Sequence, residues 1–220
     1  DSNVPVLSTD GMNLFQIVDR APTLRSSWKM SDTLREEHLV RNARVQLVEQ
    51  GPVFARFRVD HNFRSSHISE HILFYRTSPR IDFEATIDWQ EAGGPDVGVP
   101  HLQVSFGGRM SRTRARSEGP FCVAERPADG TEQPMQTWVD LVGDEFGICL
   151  LNDCKYGYNA LGSRVQLSLL RTAYAPDPDS DRGEHRVRFA FLPHAANVPV
   201  AKLVEAGMGY NRQPVSVPSR

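Results

Sequence analysis

Alternation of apolar and polar residues constrains this chain more than any other feature. Ile81, Phe83, Ala85, Ile87 and Trp89 interleave with Asp82, Glu84, Thr86 and Asp88. Successive side chains of a strand point to opposite faces, so this segment predicts a strand with one face in a core and the other in water. Val53, Ala55, Phe57 and Val59 alternate in the same way with Phe54, Arg56 and Arg58. The run from Arg44 to Val48 reaches them through the turn-like Glu49-Gln50-Gly51-Pro52, which predicts a hairpin. Two further strands follow from Val165, Leu167 and Leu169 alternating with Gln166 and Ser168, and from Val187, Phe189 and Phe191 alternating with Arg186 and Arg188.

The segments between them read as turns. Ala175 to Gly183 carries Pro176, Pro178 and a series of aspartates, which deprive the backbone of donors and favour an exposed connection. The polar breaks at Glu91 to Pro100 and Ala128 to Gln133 are too short to require a domain boundary, and no fixed-period repeat is present. One continuous all-β domain over residues 1–220, with antiparallel sheets packed face to face, is therefore expected. Ser31 to Asn42 is the exception. Ser31 or Asp32 could cap a short helix through Leu34, His38 and Leu39, while Leu39 to Val48 also reads as strand.

A hydrophobic content of 40% with 24% charged residues suits a folded chain and excludes disorder throughout. Lys+Arg 25 against Asp+Glu 27 leaves a net charge of -2, so nucleic acid and anionic lipid are not expected partners. No apolar run approaches the roughly 20 residues that cross a bilayer. Cys122, Cys149 and Cys154 are too sparse for a disulfide scaffold and point to a reducing, cytoplasmic setting. The chain begins at Asp1 with neither an initiator Met nor a basic-then-apolar leader, as an excised or processed piece would.

Several clusters invite a chemical reading. His67 and His71 stand four apart, but Ile68 occupies the position where a helical zinc protease carries Glu, and Ile72 to Tyr75 favour a strand. Asp177, Asp179 and Asp181 alternate like the first ligands of a calcium loop, yet Arg182 replaces its glycine and Arg188 its bidentate glutamate, so a solvated turn is favoured. Cys149 and Cys154 read as buried strand-side thiols before they read as ligands. No carboxylate pair is singled out for glycoside hydrolysis, and there is neither a phosphate loop nor a nucleophile elbow. Lys155-Tyr156-Gly157-Tyr158-Asn159 differs. Its aromatic faces and amide could stack on and hydrogen-bond a sugar, or the tyrosines could pack on the core beside a turn at Gly157.

In order along the chain, Pro79-Arg80-Ile81-Asp82-Phe83, Ile87-Asp88-Trp89, Trp138-Val139-Asp140-Leu141, the block from Leu150 to Asn159, Leu167-Ser168-Leu169-Leu170-Arg171, Gly183-Glu184-His185 and Leu192-Pro193-His194 resemble the C-terminal region of family 38 α-mannosidases. The resemblance implies a large β-sandwich, or supersandwich, similar to the galactose-mutarotase-like fold. For the parent polypeptide it implies a retaining, exo-acting α-mannosidase, with an aspartate nucleophile, a second aspartate as acid/base, and zinc held in an N-terminal catalytic domain. None of those catalytic or zinc-ligand motifs matches here, so no catalytic residue, metal ligand or cofactor is assigned to this chain, and alone it is expected to be inactive. The implied partners are the chain's own N-terminal catalytic domain and a mannose-containing carbohydrate. An Arg and a Tyr of this region reach the sugar in the family. The matching positions are Arg171 and Tyr156 or Tyr158, with Asn159 standing where many relatives have Asp. For Arg171 an ion pair with Asp177 or Asp181 is the competing reading. An independent carbohydrate-binding module and a purely structural sandwich are the alternatives to a substrate-contacting domain.

Overall fold

A computed structural model describes residues 11–41 and 43–212 of the 220-residue chain. The alternating Ile81–Trp89 segment is a strand with Phe83, Ala85, Ile87 and Trp89 buried. The described residues form β1 (Leu14–Arg20), β2 (Thr33–His38), β3 (Arg44–Gln50), β4 (Phe54–Phe63), β5 (Ser66–Tyr75), β6 (Ile81–Trp89), β7 (Val99–Gly107) and β8 (Arg114–Gly119). They continue with β9 (Cys122–Pro127), β10 (Gln133–Pro134), β11 (Trp138–Val142), β12 (Phe146–Asn152), β13 (Gly157–Leu161), β14 (Arg164–Arg171), β15 (Gly183–Ala195) and a helix, α1 (Val200–Asn211). The ends of the expected 1–220 domain lie outside the described residues.

Two sheets stack. The smaller runs β10-β13-β14-β7-β1-β2 and the larger β3-β4-β5-β6-β15-β12-β11-β8-β9. Every pairing among these strands is antiparallel. The chain is thus the all-β sandwich that alternation predicts. Phe106 of the smaller sheet packs against Phe83, Phe189 and Phe191 of the larger, with ring centroids 5.5, 6.2 and 5.7 Å away. Trp89 completes this core with its indole N–H donated to Thr172 Oγ1 at 2.5 Å.

The hairpin through Gly51-Pro52 is formed by β3 and β4. Its inner face is only partly covered. β3 is exposed along its length, and Val45, Leu47, Val53 and Phe74 are exposed. Val45, Phe57, Val59, Ile72 and Phe74 line an apolar hollow here. The larger sheet therefore projects beyond the smaller.

The helix expected through Leu34 and His38 is absent. Thr33–His38 is instead the edge strand β2, paired with β1, and Asn42 lies outside the described residues. Ion pairs favour this arrangement: Arg64 donates to Asp19 of β1 at 2.8 and 2.9 Å and to Glu37 of β2 at 3.0 and 3.1 Å. Strand structure resumes at Arg44 rather than running from Leu39. A helix does form at the other end, where no reading of alternation would place one. α1 lays Leu203 on Trp138, Cys149, Leu151 and Ala190, on the outer face of the larger sheet. Gly207 permits the close approach, because a Cβ there would meet Trp138 Cδ1 at 2.6 Å.

One buried carboxyl breaks the apolar pattern of the inner face. Glu70 of β5 is fully buried and accepts a 2.6 Å hydrogen bond from Asn13 Nδ2. Burial pushes its pKa up to about 8, with the Asn13 N–H pulling the other way. A raised carboxyl pKa stabilises the fold fully below the ordinary value of 4.5, and that stabilisation is lost as pH rises through about 8. Glu70→Gln, which stays neutral, should therefore be increasingly stabilising relative to the wild type from pH 5 to pH 9, by on the order of a few kcal/mol at the alkaline end. Denaturant melts across that range check it; a pH-independent difference would show that Glu70 is not the group involved.

Candidate functional site

The outward face of the smaller sheet is polar and yet largely buried. Alternation sends Phe15 and Ile17 of β1, Leu102, Val104 and Phe106 of β7, and Val165 and Leu167 of β14 into the core. It leaves Gln16, His101, Gln103, Ser105, Asn159 and Gln166 on the opposite face, and all six are buried. Cross-strand registers align Gln16 with Gln103 and Gln103 with Ser168, then Ser168 with Gly157.

Arg171 joins this face through a β-bulge. Ser168 pairs with Gln103, but Leu170 rather than Leu169 pairs with Leu102, so one extra residue is inserted in β14. Continued alternation from Val165, Leu167 and Leu169 would have turned Arg171 into the core. The inserted residue reverses the sense and sets it opposite His101.

A hydrogen-bond network ties the face together. Arg20 Nε donates to His101 Nδ1 at 3.2 Å, and Arg20 Nη2 is in close contact with Glu132 Oε1. Gln103 Nε2 and Asn159 Nδ2 each donate to the same oxygen at 3.1 Å, while Gln16 Nε2 donates to Gln103 Oε1 at 3.1 Å. Arg171 donates to the backbone carbonyls of Ser26 at 2.6 Å and Lys29 at 2.8 Å, fastening the turn that carries Trp28. It makes no ion pair with Asp177 or Asp181 among the described residues; burial first, then the Arg20 charge, lower its pKa from the ordinary value. Burial foremost, then Arg20 and Arg171, hold the His101 pKa well below the ordinary imidazole value, so the ring is neutral at pH 7.

Beside this network lies a cleft of about 380 Å³, whose walls include Trp28, Lys29, His101, Glu132, Tyr156 and Arg171. Tyr156 and Trp28 are 62% and 73% exposed. Three polar atoms of its walls are buried without a partner among the described residues: His101 Nε2, Ser168 Oγ and Arg171 Nε. Burying such atoms unpaired is costly, and ordered water or another polar group is the usual partner of atoms so placed.

Of the residues expected at a sugar, Arg171 and Tyr156 meet at this cleft. Asn159 stands behind it, holding Glu132. Tyr158 is not brought there: its ring is in the core between the sheets and its hydroxyl lies 3.2 Å from Ser117 Oγ. The strand period explains the split, since Tyr158 and Asn159 must face opposite sides of β13. His101, Glu132, Arg20 and Trp28 were not anticipated. His101-Leu102-Gln103-Val104-Ser105-Phe106 does alternate, but its polar positions look like any wet face. Glu132 lies in a loop with no local signal.

No group of three or more His, Cys, Asp or Glu that could hold a metal ion exists among the described residues. His67 and His71 lie on β5, with His67 3.5 Å from Asp60. Asp177 accepts the Asp179 backbone N–H at 3.0 Å and Asp179 pairs with Arg182 at 3.0 Å, as in a self-contained turn. Cys149 is buried on β12, but Cys154, expected to be buried, is exposed in the bend that follows, where the chain has left the sheet. No helix of the described residues is long and apolar enough to cross a membrane.

Two stacked antiparallel sheets with a polar cleft on the smaller one define a β-sandwich domain with a concavity of ligand size. The chain belongs to the glycosyl hydrolases family 38 C-terminal domain, whose model matches residues 1–179. It is 29% identical over 226 residues to alpha-mannosidase G of Dictyostelium discoideum, covering 96% of this chain and 20% of that protein. It is 31% identical over 163 residues to human alpha-mannosidase 2C1, covering 70% of this chain and 15% of that protein. The chain thus spans a fifth or less of the length of these relatives. An alpha-mannosidase structure from Enterococcus faecalis V583 superposes with a TM-score of 0.76 at 14% identity, over 90% of this chain and 27% of that one.

Proposed function

We propose that the chain is the C-terminal domain of a retaining, exo-acting α-mannosidase, acting as one unit that packs on an N-terminal catalytic domain and lends Arg171 and Tyr156 to the sugar site. The observation that carries this reading is the meeting of those two residues at one cleft bordered by buried, unpartnered polar atoms. Family membership and the relatives' names support the mannoside as substrate. Arg171 is held through two carbonyls, so its remaining N–H donors are fixed in place rather than tethered to a mobile chain. Tyr156 offers an exposed ring face for stacking on a pyranose. Asn159 contributes through Glu132, and Tyr158 through packing. The acid/base and nucleophilic carboxylates, and the zinc, are assigned to the catalytic domain. The apolar hollow at β3, β4 and β5 supports docking of that domain, since such patches mark interaction surfaces. The free thiols Cys122, Cys149 and Cys154 support a cytoplasmic setting.

The test is Arg171→Ala in the full-length polypeptide, assayed on an aryl α-mannoside. Loss of charged hydrogen bonds to the ligand and its cleft wall should lower kcat/KM by about 10- to 100-fold with the melting temperature largely kept. Unchanged kinetics in a folded variant would remove Arg171 from the sugar site.

A further inference from the structure

The connection between β1 and β2 and the exit of β14 hold each other through one serine and one arginine. Trp28 N–H and Lys29 N–H both donate to the Arg25 carbonyl at 2.9 Å, so this stretch closes on itself as a single turn. The carbonyls of Ser26 and Lys29 in that turn are the ones Arg171 takes, at 2.6 and 2.8 Å. Ser26 returns the grip. It is fully buried, and its Oγ accepts the backbone N–H of Ala175 at 2.9 Å and that of Tyr174 at 3.1 Å. These two amides use both acceptor positions of the hydroxyl, whose own proton is donated to the Ala175 carbonyl at 3.4 Å. Ser27 Oγ donates to that same carbonyl at 2.6 Å. Arg171 is the last residue of β14, and Thr172 N–H still donates to the Pro100 carbonyl at 2.9 Å. Beyond that point it is Ser26 that fastens the chain.

We propose that Ser26 is a positioning residue for Arg171. By clasping the exit of β14 to the turn whose carbonyls hold the guanidinium, it fixes the angle at which Arg171 meets the sugar. The inference rests on the proposed function, which places Arg171 at the sugar, and adds the residue that aims it. A guanidinium is a planar fork, so two acceptors on one turn set its plane, and a shift of the turn carries its remaining N–H groups away. Misplacement on the order of 1 Å can cost about 100-fold in rate. Ser26 has no accessible surface and acts only through its neighbours.

The test measures kcat/KM on an aryl α-mannoside, per folded molecule of the full-length polypeptide. Ser26→Ala is made in the wild type and in Arg171→Ala and Trp28→Ala backgrounds. In the wild type it should cost about 10-fold. With Arg171 already removed it should cost nothing more, whereas with Trp28 removed the 10-fold loss should persist. Ser27→Ala drops one bond of the same clasp and should show a smaller loss with the same dependence, which keeps the test open if Ser26→Ala fails to fold. A merely structural serine would lower the melting temperature and leave the kinetics of the folded fraction alone, overturning the proposal. An equal loss in every background would also overturn it, as would a loss that vanishes without Trp28, since the clasp would then serve the tryptophan. Arg171→Ala alone separates the two levels. If it leaves kinetics unchanged, the functional reading itself falls; if it impairs turnover while folded Ser26→Ala does not, only the positioning role falls.

Discussion

Asp140→Ala should destabilise the domain by about 3–5 kcal/mol, a large part of the total stability of a domain this size. Asp140 lies on β11, wholly buried on the outer face of the larger sheet. Arg116 Nε donates to its Oδ2 at 2.9 Å, and His194 Nε2 lies 2.7 Å from its Oδ1. His194 Nδ1 lies 2.9 Å from the Ala195 carbonyl oxygen, so both ring nitrogens face acceptors and the ring is best satisfied as the cation. Burial works against that charge, but the Asp140 carboxylate outweighs it and the His194 pKa is raised above 6.5. Removing the carboxylate strands two buried cations. The His194 contribution is complete below the ordinary imidazole value and is lost as pH rises through its higher folded value. The penalty of Asp140→Ala should accordingly be largest near pH 6 and shrink toward pH 9, where only Arg116 remains stranded. Denaturant melts at the two pH values check both claims; a penalty below about 1 kcal/mol at pH 6 would show that water replaces the carboxylate.

Phe106→Ala should cost a comparable amount, about 3–5 kcal/mol, by a different route. Phe106 is the ring through which β7 of the smaller sheet engages the larger, touching Phe83, Phe189 and Phe191. Those three belong to strands whose partners hold them on both sides, so they cannot collapse into the vacated space. The cost includes lost transfer energy and a retained cavity. Unlike the Asp140 variant, this one should show no pH dependence of its penalty. Phe106→Leu should recover roughly half. A loss below about 1.5 kcal/mol would mean that the sheets slide together to close the void.

Much of this architecture was legible in residues such as Ile81 to Trp89, because a strand half in water repeats every two residues and nothing else does. The hairpin at Gly51-Pro52 was legible for the same reason. The segment from Ser31 to Asn42 misled, because its cap-like Ser31 and Asp32 are local signals, whereas β2 is held by Arg64, far along the chain. α1 carries Val200, Leu203, Val204 and Gly207 at helical spacing, a pattern too short to stand out beside so many strands. The cleft was half visible. Arg171 and Tyr156 came from resemblance, but the bulge that turns Arg171 outward depends on pairing with β7 and leaves no mark in β14 alone. Glu132 owes its place to three donors from three different strands, a convergence that exists only after folding.

The overhang of the larger sheet sets a gradient of local stability. Along β3, and at the adjoining ends of β4 and β5, the ladder hydrogen bonds have water above and below them, so opening this corner exposes little apolar area that is not already exposed. Its amide protons should exchange long before those of β7 or β15, whose strands open only with the whole fold. Anything that settles on the hollow at Val45 and Phe74 would slow exchange there first, leaving the aromatic core untouched. The exposed corner of the sheet would therefore report, ahead of the core, on any partner that settles there.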